Sequence, residues 1–451
     1  MHVARLKRVL TVSLTLIVTS TVLISLRCPR TAPRTKTIFP EPHLPSWIDR
    51  DTSFGVYTPI DIALTKWRAH PIATSQVISH AISRVKEEYP RECFGVTYLD
   101  SRLFTWAEYE WGNNTDFPYE LLTSRRYHIL SVIDLVTRRN SAILDFEAVF
   151  CLGDCIVSEL KESQANLGGA YKLFEDPLPV FSLVTCKSSM NIPFPVWDSA
   201  TGPFHSWGKK VDFLTDLRTS AAAWDERKTQ AVFRGGQRSC VLYSDTRFRR
   251  NGYAHYVATP DKSSEASRCG RNALIYQALK SNKTFLFNVS LTDGYPIEAF
   301  KYPEAIRPPD TPTFLSTSDQ AEFKYIIYAE GHCQWANRLR DLLFLGSAII
   351  MQDVECIESY GIGLVPWIHF IPVDYWFSNL TEALLWGESH PNEVKLMIQK
   401  TNQYAHDNVT PEAILRYAEE LLKQYSHLMG YAVPFRDDMR SVVLDSSVVK
   451  R

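Results

Sequence analysis

The sequence lacks an excess of charge of either sign: 49 Lys and Arg residues face 50 Asp and Glu residues, for a net charge of −1. A chain that coats nucleic acid or an anionic membrane surface carries a basic excess, so no nucleic-acid partner is expected. Any anion-binding site must therefore be local. The chain also lacks internal repeats, and its 451 residues, 45% of them hydrophobic, are enough for about two globular domains.

Long apolar runs are lacking too, with one exception near the N-terminus. Arg5, Lys7 and Arg8 precede 18 residues without a charge, which as a helix would span about 27 Å and cross a thin bilayer. The run is longer than the apolar region of a cleavable signal peptide and has no obvious small-residue cleavage site, so it predicts a single-pass signal anchor, with cleavage as the alternative. Because the basic side stays in the cytosol, the predicted order is a cytosolic tail (1–8), a transmembrane anchor (9–26), a proline-rich stem (27–46) and a luminal body.

Two features agree with a luminal body, the even number of cysteines after the stem and the five Asn-X-Ser/Thr sequons. Eight cysteines follow the stem, an even number that permits up to four disulfides of open connectivity. The C-terminal SSVVKR is not a KDEL-type retrieval signal, so a type II protein of the Golgi or endoplasmic reticulum membrane is predicted, with the Golgi favoured. Five Asn-X-Ser/Thr sequons are candidate glycosylation sites: Asn113, Asn282, Asn288, Asn379 and Asn408.

Strand and helix patterns alternate in the second half of the chain. KYIIYAEG (324–331) predicts a strand that ends on glycine, ANRLRDLLF (336–344) a short helix with leucines at helical spacing, and SAIIMQD (347–353) a second buried strand. Strand, helix and strand in this order form the βαβ unit of a Rossmann-like sheet. Such sheets bind ligands at the carboxyl ends of their strands, where helix N-termini attract phosphate.

Further elements are predicted on either side of this unit. A helix bounded by prolines is expected over 70–90, and buried strands are expected within 141–154 and 178–186. In the C-terminal helix we expect Thr410 as the N-cap, Pro411 as the first helical residue and Gly430 as the terminator.

The stretch AVFRGGQRSC ends an apolar strand on the pair Gly235–Gly236, which Arg234 and Arg238 bracket. Arg338 starts the short helix predicted after a later strand. Guanidinium groups match phosphate oxygens in pairs, and glycines let backbone N–H groups come close, so these residues could converge on a diphosphate. A hairpin turn with solvated arginines gives the same local pattern.

AVFRGGQRS, KYIIYAEG, NRLRDLLFLGSAIIMQD and LVPWIHFIPV occur in the order and spacing of glycosyltransferase family 90, which includes the protein O-glucosyltransferases (Rumi) and the capsule-associated CAP proteins. DFEAVFCLGD and PVFSLVTCKSSMNIPFPVWDSATG also look like segments of this family. The resemblance covers residues 140–430, whereas 47–139 match no family that we can name.

The resemblance implies an α/β fold of the GT-B type, in which two Rossmann-like domains face a cleft. The domains would span 47–210 on the acceptor side and 211–405 on the nucleotide-sugar side, followed by a C-terminal helix and tail at 406–451. It also implies an inverting enzyme that moves glucose or xylose from a UDP-sugar to a hydroxyl of a protein or glycan, with no metal or other cofactor. The sequence agrees with this in one respect, because its D-x-D motif lies at the stem boundary, at 49–51.

Residue roles follow from the same resemblance. Asp154 in CLGDC matches the general base, and Asp145, on the same strand, is predicted to be structural. Glu330 and Glu358 are candidates for the ribose hydroxyls, and Trp197 and Asp198 for the acceptor side of the cleft. The candidates for the rest of the nucleotide-sugar site are Arg234, Gly235, Gly236, Arg238, Ser239 and Arg338.

Two segments depart from the family pattern. Cys151 and Cys155 flank the proposed base, so a disulfide there would shape its loop, and GHCQWAN replaces the usual small-residue loop before Arg338. Two other functions stay open. The first is a non-catalytic luminal carbohydrate-binding protein that kept the fold. The second is another anion-handling luminal transferase, such as a sulfotransferase, which would usually show a GxxGS/T turn that the sequence lacks.

Overall fold

The computed structural model describes residues 59–69, 72–88, 92–106, 118–153, 178–186, 190–196, 203–236, 241–242, 254–255, 270–292, 314–331, 336–354 and 356–442. All of them belong to one compact unit, Pro42–Arg451. The predicted tail, anchor and stem lie outside these ranges. Within these ranges, no helix is long and apolar enough to cross a membrane.

The described elements of the first half begin with two helices and a hairpin and continue with one long helix and four short strands. In chain order they are α1 (Pro59–Ala69), α2 (Ser75–Glu88), β1 (Cys93–Leu99), β2 (Arg102–Trp106), α3 (Pro118–Arg139), β3 (Phe146–Cys151), β4 (Val180–Ser182), β5 (Val184–Cys186) and β6 (Ile192–Pro193).

Strands and helices alternate in the described part of the second half, and helices dominate its end. In chain order the elements are α4 (Pro203–Ser220), β7 (Lys228–Gly235), β8 (Val241–Leu242), β9 (Ala254–His255), α5 (Gly270–Lys280), β10 (Phe287–Leu291), α6 (Thr317–Gln320), β11 (Phe323–Tyr328), α7 (Arg338–Leu342), β12 (Ala348–Gln352), β13 (Cys356–Glu358), β14 (Ile371–Val373), α8 (Leu380–Ser389), α9 (Pro391–Asn408), α10 (Pro411–Ser426) and β15 (Arg440–Ser441).

The first sheet has the order β15-β2-β1-β3-β4-β6. Strands β3, β4 and β6 run parallel, whereas β15, β2, β1 and β3 pair antiparallel, so the sheet is mixed. The hairpin β1–β2 turns at Asp100 and Ser101, both in the left-handed region (φ 49° and 62°). Two such residues match the right-handed twist of paired strands, which favours a tight hairpin. The Asp145 carboxylate accepts from the Asp100 main-chain N–H at 3.2 Å, a structural contact.

A disulfide crosses the first sheet. Cys93 on β1 and Cys151 on β3 are directly paired in the ladder and joined by their sulfurs, with a Cα separation of 4.1 Å. The expected link between Cys151 and Cys155 is therefore wrong, because Cys151 already has a partner on the neighbouring strand. Cys155 lies outside the described residues.

The second sheet is parallel and has the order β10-β7-β11-β12-β14. The chain runs from β7 through α5 to β10 on one side, and then crosses to β11, α7 and β12 on the other side. The strand order thus reverses at β7, the kind of position at which parallel sheets form a crevice between the carboxyl ends of neighbouring strands, here β7 and β11. The strand, helix and strand predicted over 324–353 are confirmed as β11, α7 and β12.

The strand predicted over 178–186 divides at Leu183. Its first part, β4, belongs to the first sheet, whereas its second part, β5, pairs antiparallel with β13 from the second half of the chain. The helix predicted over 70–90 is confirmed as α2.

The C-terminal helix α10 packs against α1, α3, α4 and α9. The Thr410 hydroxyl accepts from the Ala413 main-chain N–H, which confirms Thr410 as the N-cap, with Pro411 next. Gly430 is not the terminator: the helix ends at Ser426, and Gly430 does not adopt a positive φ. A Cβ at Gly430 would lie 3.1 Å from the Ala73 Cα, so the glycine serves a close approach of two chain segments.

Candidate functional site

The candidate site lies at the crevice between β7 and β11. Strand β7 ends with Arg234 and Gly235, and Gly236 follows it. Helix α5, which follows β7 in the parallel sheet, and helix α7, which follows β11, both begin at this edge. The fold therefore brings the predicted turn and the predicted helix start to the same edge of one sheet.

Arg338 is held at this edge by contacts from two directions. Its Nη1 donates to the Arg234 carbonyl oxygen, and its Nη2 donates to the Gln320 Oε1 at 3.2 Å. Its guanidinium carbon lies 4.9 Å from the centroid of the Phe233 ring. Burial lowers the pKa of the Arg338 guanidinium to about 10, opposed by the Asp341 charge, so the group remains a cation at pH 7.

Arg271, near the start of α5, is a second cation at the same place, and it is buried. Its Nε donates to the Glu330 carbonyl at 3.0 Å and its Nη1 to the Gly236 carbonyl at 2.5 Å. Its guanidinium carbon lies 5.7 Å from the Phe233 centroid, so two arginines share one aromatic ring. Sequence reasoning missed Arg271, because it lies in the polar stretch 251–275, which has no clear periodicity.

Gly235 has no side chain because the space is already filled. A Cβ there would lie 2.9 Å from the Phe233 Cζ and 3.1 Å from the Arg271 Nη1. From the sequence, the glycine was expected to let backbone N–H groups approach a phosphate. The structure adds a different reason, since the glycine makes room for the ring and the arginine.

The guanidinium of Arg234 lies on a different side of the strand. It donates to the Phe233 and Asn288 carbonyls at 2.8 and 2.7 Å, and to the Asn288 Oδ1 at 2.6 Å. Neighbouring residues of a strand point to opposite faces, so Arg234 and Phe233 face apart. Arg234 and Arg338 were predicted to converge through their guanidinium groups. Arg234 instead contacts Arg338 through its main-chain carbonyl, and the second guanidinium beside the Phe233 ring is that of Arg271.

Glu330 lies just beyond β11 and is buried, 3% exposed. Its Oε1 accepts from the Tyr375 hydroxyl at 2.6 Å, and its main-chain N–H donates to the Gln352 Oε1 at 2.8 Å. Burial raises the pKa of the Glu330 carboxyl to about 8, opposed by the Tyr375 hydrogen bond and by the charge of Arg271.

Glu358, the last residue of β13, is also buried and accepts a hydrogen bond from the Tyr360 hydroxyl. Burial raises the pKa of Tyr328, at the end of β11, and the charges of both Glu358 and Glu330 raise it further. Both predicted ribose-binding carboxyl groups thus lie close enough to act on one tyrosine at the carboxyl edge of the sheet.

Some of the remaining candidate site and glycosylation residues lie within the described ranges, and others lie outside them. Asn282 is exposed, the Asn379 Oδ1 accepts from the Asp374 main-chain N–H, and the Asn408 Nδ2 donates to the Tyr404 carbonyl. Within the described ranges, no three His, Cys, Asp or Glu residues are grouped as a metal site would require. The candidates outside the described residues are Asn113, Asp154, Trp197, Asp198, Arg238 and Ser239.

Comparison with known proteins gives one family. The family model described as Glycosyl transferase family 90 matches residues 116–247 and 270–451. Protein O-glucosyltransferase 2 of Danio rerio is 23% identical over 305 residues, which cover 67% of this chain and 52% of that protein. Protein O-glucosyltransferase 1 of Mus musculus is 25% identical over 281 residues, which cover 60% of this chain and 63% of that protein. This chain therefore spans less than two thirds of either relative.

Proposed function

The chain belongs to glycosyltransferase family 90, and on this premise we propose that it transfers glucose or xylose from a UDP-sugar to a hydroxyl of a protein or glycan, with inversion at the anomeric carbon. The observation that carries the proposal is the pair of arginines on the Phe233 ring, the buried Arg271 and the partly buried Arg338, at the switch point of a parallel sheet. This is the position at which such sheets bind nucleotides.

The arginines supply positive charge for the diphosphate. Both cations are fixed by hydrogen bonds to main-chain carbonyls, so little reorganisation is needed when charge develops on the leaving group. Arg271 is added here to the predicted set. We assign Arg234 a positioning role, because its carbonyl holds Arg338 while its guanidinium contacts Asn288. Arg238 and Ser239 follow the same turn and are proposed as further donors to phosphate.

Asp154 is proposed as the general base. The acceptor hydroxyl oxygen attacks the anomeric carbon, its proton passes to the Asp154 carboxylate, and the bond from the anomeric carbon to the β-phosphate oxygen breaks. UDP leaves with that electron pair. Asp154 follows β3 by three residues, and the disulfide between Cys93 and Cys151 fixes the end of that strand.

The remaining roles complete the proposal. Glu330 and Glu358 would contact the nucleoside at the carboxyl edge of the sheet, and Trp197 and Asp198 would face the acceptor in a GT-B cleft. No metal is required, because the arginines take over the role of a cation. Residues 9–26 would anchor the protein in the Golgi or endoplasmic reticulum membrane with the body in the lumen.

Release of UDP tests the proposal. The full chain in detergent is given a panel of UDP-sugars, with and without EDTA, beside Asp154→Asn and the matched control Asp145→Asn, which keeps the acceptor for Asp100. We expect EDTA-resistant turnover of UDP-glucose or UDP-xylose that is lost in Asp154→Asn and kept in Asp145→Asn. Binding of a UDP-sugar without turnover would instead indicate a carbohydrate-binding protein that retained the fold. A folded chain that binds no UDP-sugar would contradict the proposal.

A further inference from the structure

Glu330 is locked in a closed ring of hydrogen bonds. Its main-chain N–H donates to the Gln352 Oε1 at 2.8 Å, the Gln352 Nε2 donates to the Tyr375 carbonyl at 2.7 Å, and the Tyr375 hydroxyl returns to the Glu330 Oε1 at 2.6 Å. The Arg271 Nε adds a hydrogen bond to the Glu330 carbonyl. The carboxyl group is therefore oriented by the fold itself, as is typical of a group that must meet a ligand.

One carboxyl oxygen of Glu330 takes no part in these hydrogen bonds. The Glu330 Oε2 is buried and has no hydrogen-bond partner among the described residues. Arg271, the cation whose charge acts on Glu330, donates to main-chain carbonyls, and no Lys, Arg or His of the described residues forms an ion pair with the Glu330 carboxyl group. An ionised carboxylate in this environment is unfavourable, because burial removes its water and the hydrogen bond from Tyr375 serves Oε1 alone, which leaves Oε2 without a donor among the described residues.

The hydrogen bond from Tyr375 decides where a proton would be. Since the hydroxyl donates to Oε1, that oxygen is an acceptor, and the proton of a neutral Glu330 lies on Oε2. Burial raises the pKa of the Glu330 carboxyl to about 8, so at pH 7 the neutral form dominates. Oε2 then carries an O–H group at the edge of the sheet where the nucleotide is proposed to bind.

We propose that Glu330 binds the UDP-sugar as a neutral carboxylic acid, whose Oε2–H donates a hydrogen bond to an acceptor oxygen of the nucleotide. This rests on the proposed function and changes the role predicted for Glu330, since a residue that holds ribose hydroxyls would accept from them as a carboxylate. The neutral form also avoids placing a negative charge beside the diphosphate. The acceptor is a phosphate or uracil oxygen, groups that share this chemistry.

The described groups that face Glu330 keep the same charge between pH 6.5 and 8.5. Among the described residues they are Arg271 on α5, Tyr328 on β11, Gln352 on β12 and Tyr375 after β14. Glutamine does not titrate, arginine stays protonated, and burial raises the pKa of Tyr328 further above its usual value. A pH effect in this range on binding that depends on Glu330 therefore reports on its own carboxyl group.

The experiment measures binding of UDP-glucose and UDP-xylose by calorimetry between pH 6.5 and 8.5, because their phosphates, unlike the terminal phosphate of UDP, do not titrate near pH 6. For a pKa of about 8, wild-type affinity should fall about fourfold across this range. Glu330→Gln keeps an acceptor for Tyr375 and an N–H donor in place of the O–H. We expect it to bind with little dependence on pH, while the matched exposed control Glu322→Gln behaves as wild type.

Two results would overturn the proposal while leaving the proposed function intact. The first is loss of binding in Glu330→Gln with no pH effect in wild type, which would make Glu330 an ionised acceptor. The second is the same pH effect in Glu330→Gln as in wild type, which would assign it to another group such as His332. If the wild type binds neither UDP-sugar at any pH, the proposed function itself fails, and this inference fails with it.

A ligand-free measurement tests the charge state separately. With a pKa raised from 4.5 to about 8, the folded chain keeps a proton that the unfolded chain releases. The resulting stabilisation is complete below pH 4.5 and is lost as the pH rises towards 8. The melting temperature of wild type relative to Glu330→Gln should therefore decrease from pH 5 to pH 8. A constant difference would show that Glu330 is already ionised, which excludes the donor role.

Discussion

At the scale of single residues, the Phe233 ring organises the candidate site. It is fully buried, and the guanidinium groups of Arg271 and Arg338 lie 5.7 and 4.9 Å from its centroid. An aromatic face attracts cations and helps to hold two like charges near each other until an anion binds between them. On the proposed function, the Phe233 ring holds the two cations in place for the diphosphate without contacting it.

Replacing Arg338 by Lys tests this arrangement. Lysine keeps the charge but loses the planar fork that bridges the Arg234 carbonyl and Gln320. Hydrogen bonds to charged groups are worth about 1.5–3 kcal/mol, so losing the paired contact with the proposed diphosphate should lower UDP-sugar affinity by about 10- to 150-fold, and losing the contacts to the Arg234 carbonyl and Gln320 should also lower the melting temperature. Titration calorimetry measures this. The control is Arg340→Lys on the same helix, which stays able to contact the Trp207 ring and should bind normally. Equal losses in both variants would contradict a specific role for Arg338.

The sequence predicted Arg338 but not Arg271, and the reason is physical. Arg338 precedes leucines at helical spacing, so the sequence alone predicted its position at the start of a helix that follows a strand. Arg271 reaches the same ring only because α5 begins at the carboxyl end of β7. This arrangement depends on the tertiary fold and cannot be predicted from the local sequence. The reason for Gly235 was likewise hidden, since the neighbours that exclude a Cβ are the Phe233 ring and Arg271.

At the scale of elements, the C-terminal helix α10 offers a test in which two roles of one residue can be separated. Thr410 caps the helix through the Ala413 N–H and also completes the Asn408 sequon. Thr410→Ala should cost about 1 kcal/mol of unfolding free energy through the lost cap. Thr410→Asp keeps a capping oxygen but removes the sequon. In urea denaturation of the unglycosylated protein, Thr410→Ala should have a lower free energy of unfolding than wild type, and Thr410→Asp should be nearly as stable as wild type.

The two variants also report on glycosylation at Asn408, which stays a prediction. If the expressed protein carries a glycan there, Thr410→Ala and Thr410→Asp should both lose it and migrate faster on a gel, while Thr410→Ser keeps both cap and sequon. Equal stability of Thr410→Ala and wild type in urea would show that the cap contributes nothing.

Element prediction worked best where a single apolar run made one buried strand or helix, as for β11, β12 and α2. It failed at Gly430, where the usual meaning of glycine after a helix was overridden by the close approach of Ala73. It also failed to divide 178–186 at Leu183, because the two halves have equally apolar sequences but pair in different sheets. Local pattern determines the element type, whereas the sheet that a strand joins depends on distant residues.

At the scale of the whole molecule, the C-terminal segment returns to the first sheet. The Tyr425 hydroxyl donates to the Glu147 carbonyl, and β15 pairs with β2 at the edge of that sheet. The fully buried Glu147 carboxylate accepts from the Arg436 Nε at 2.6 Å, the Arg436 Nη2 at 3.1 Å and the Tyr431 hydroxyl at 3.0 Å. These partners lie 289 and 284 residues from Glu147 in sequence. No local pattern could have predicted them.

Because Glu147 is fully buried, removing its cation should be more harmful than removing a surface cation. Arg436→Leu leaves a charged carboxylate without a counter-ion and should lower the free energy of unfolding by about 3–5 kcal/mol. The double variant Glu147→Gln/Arg436→Leu removes the stranded charge and should recover part of that loss. Urea denaturation of each variant gives the comparison. Arg416→Leu on the exposed side of α10 is the control, with a change within about 0.5 kcal/mol. If the double variant is less stable than Arg436→Leu, the Glu147 carboxylate stabilises the chain through Tyr431 rather than through Arg436, and the ion pair is not what holds the C-terminal segment to the first sheet.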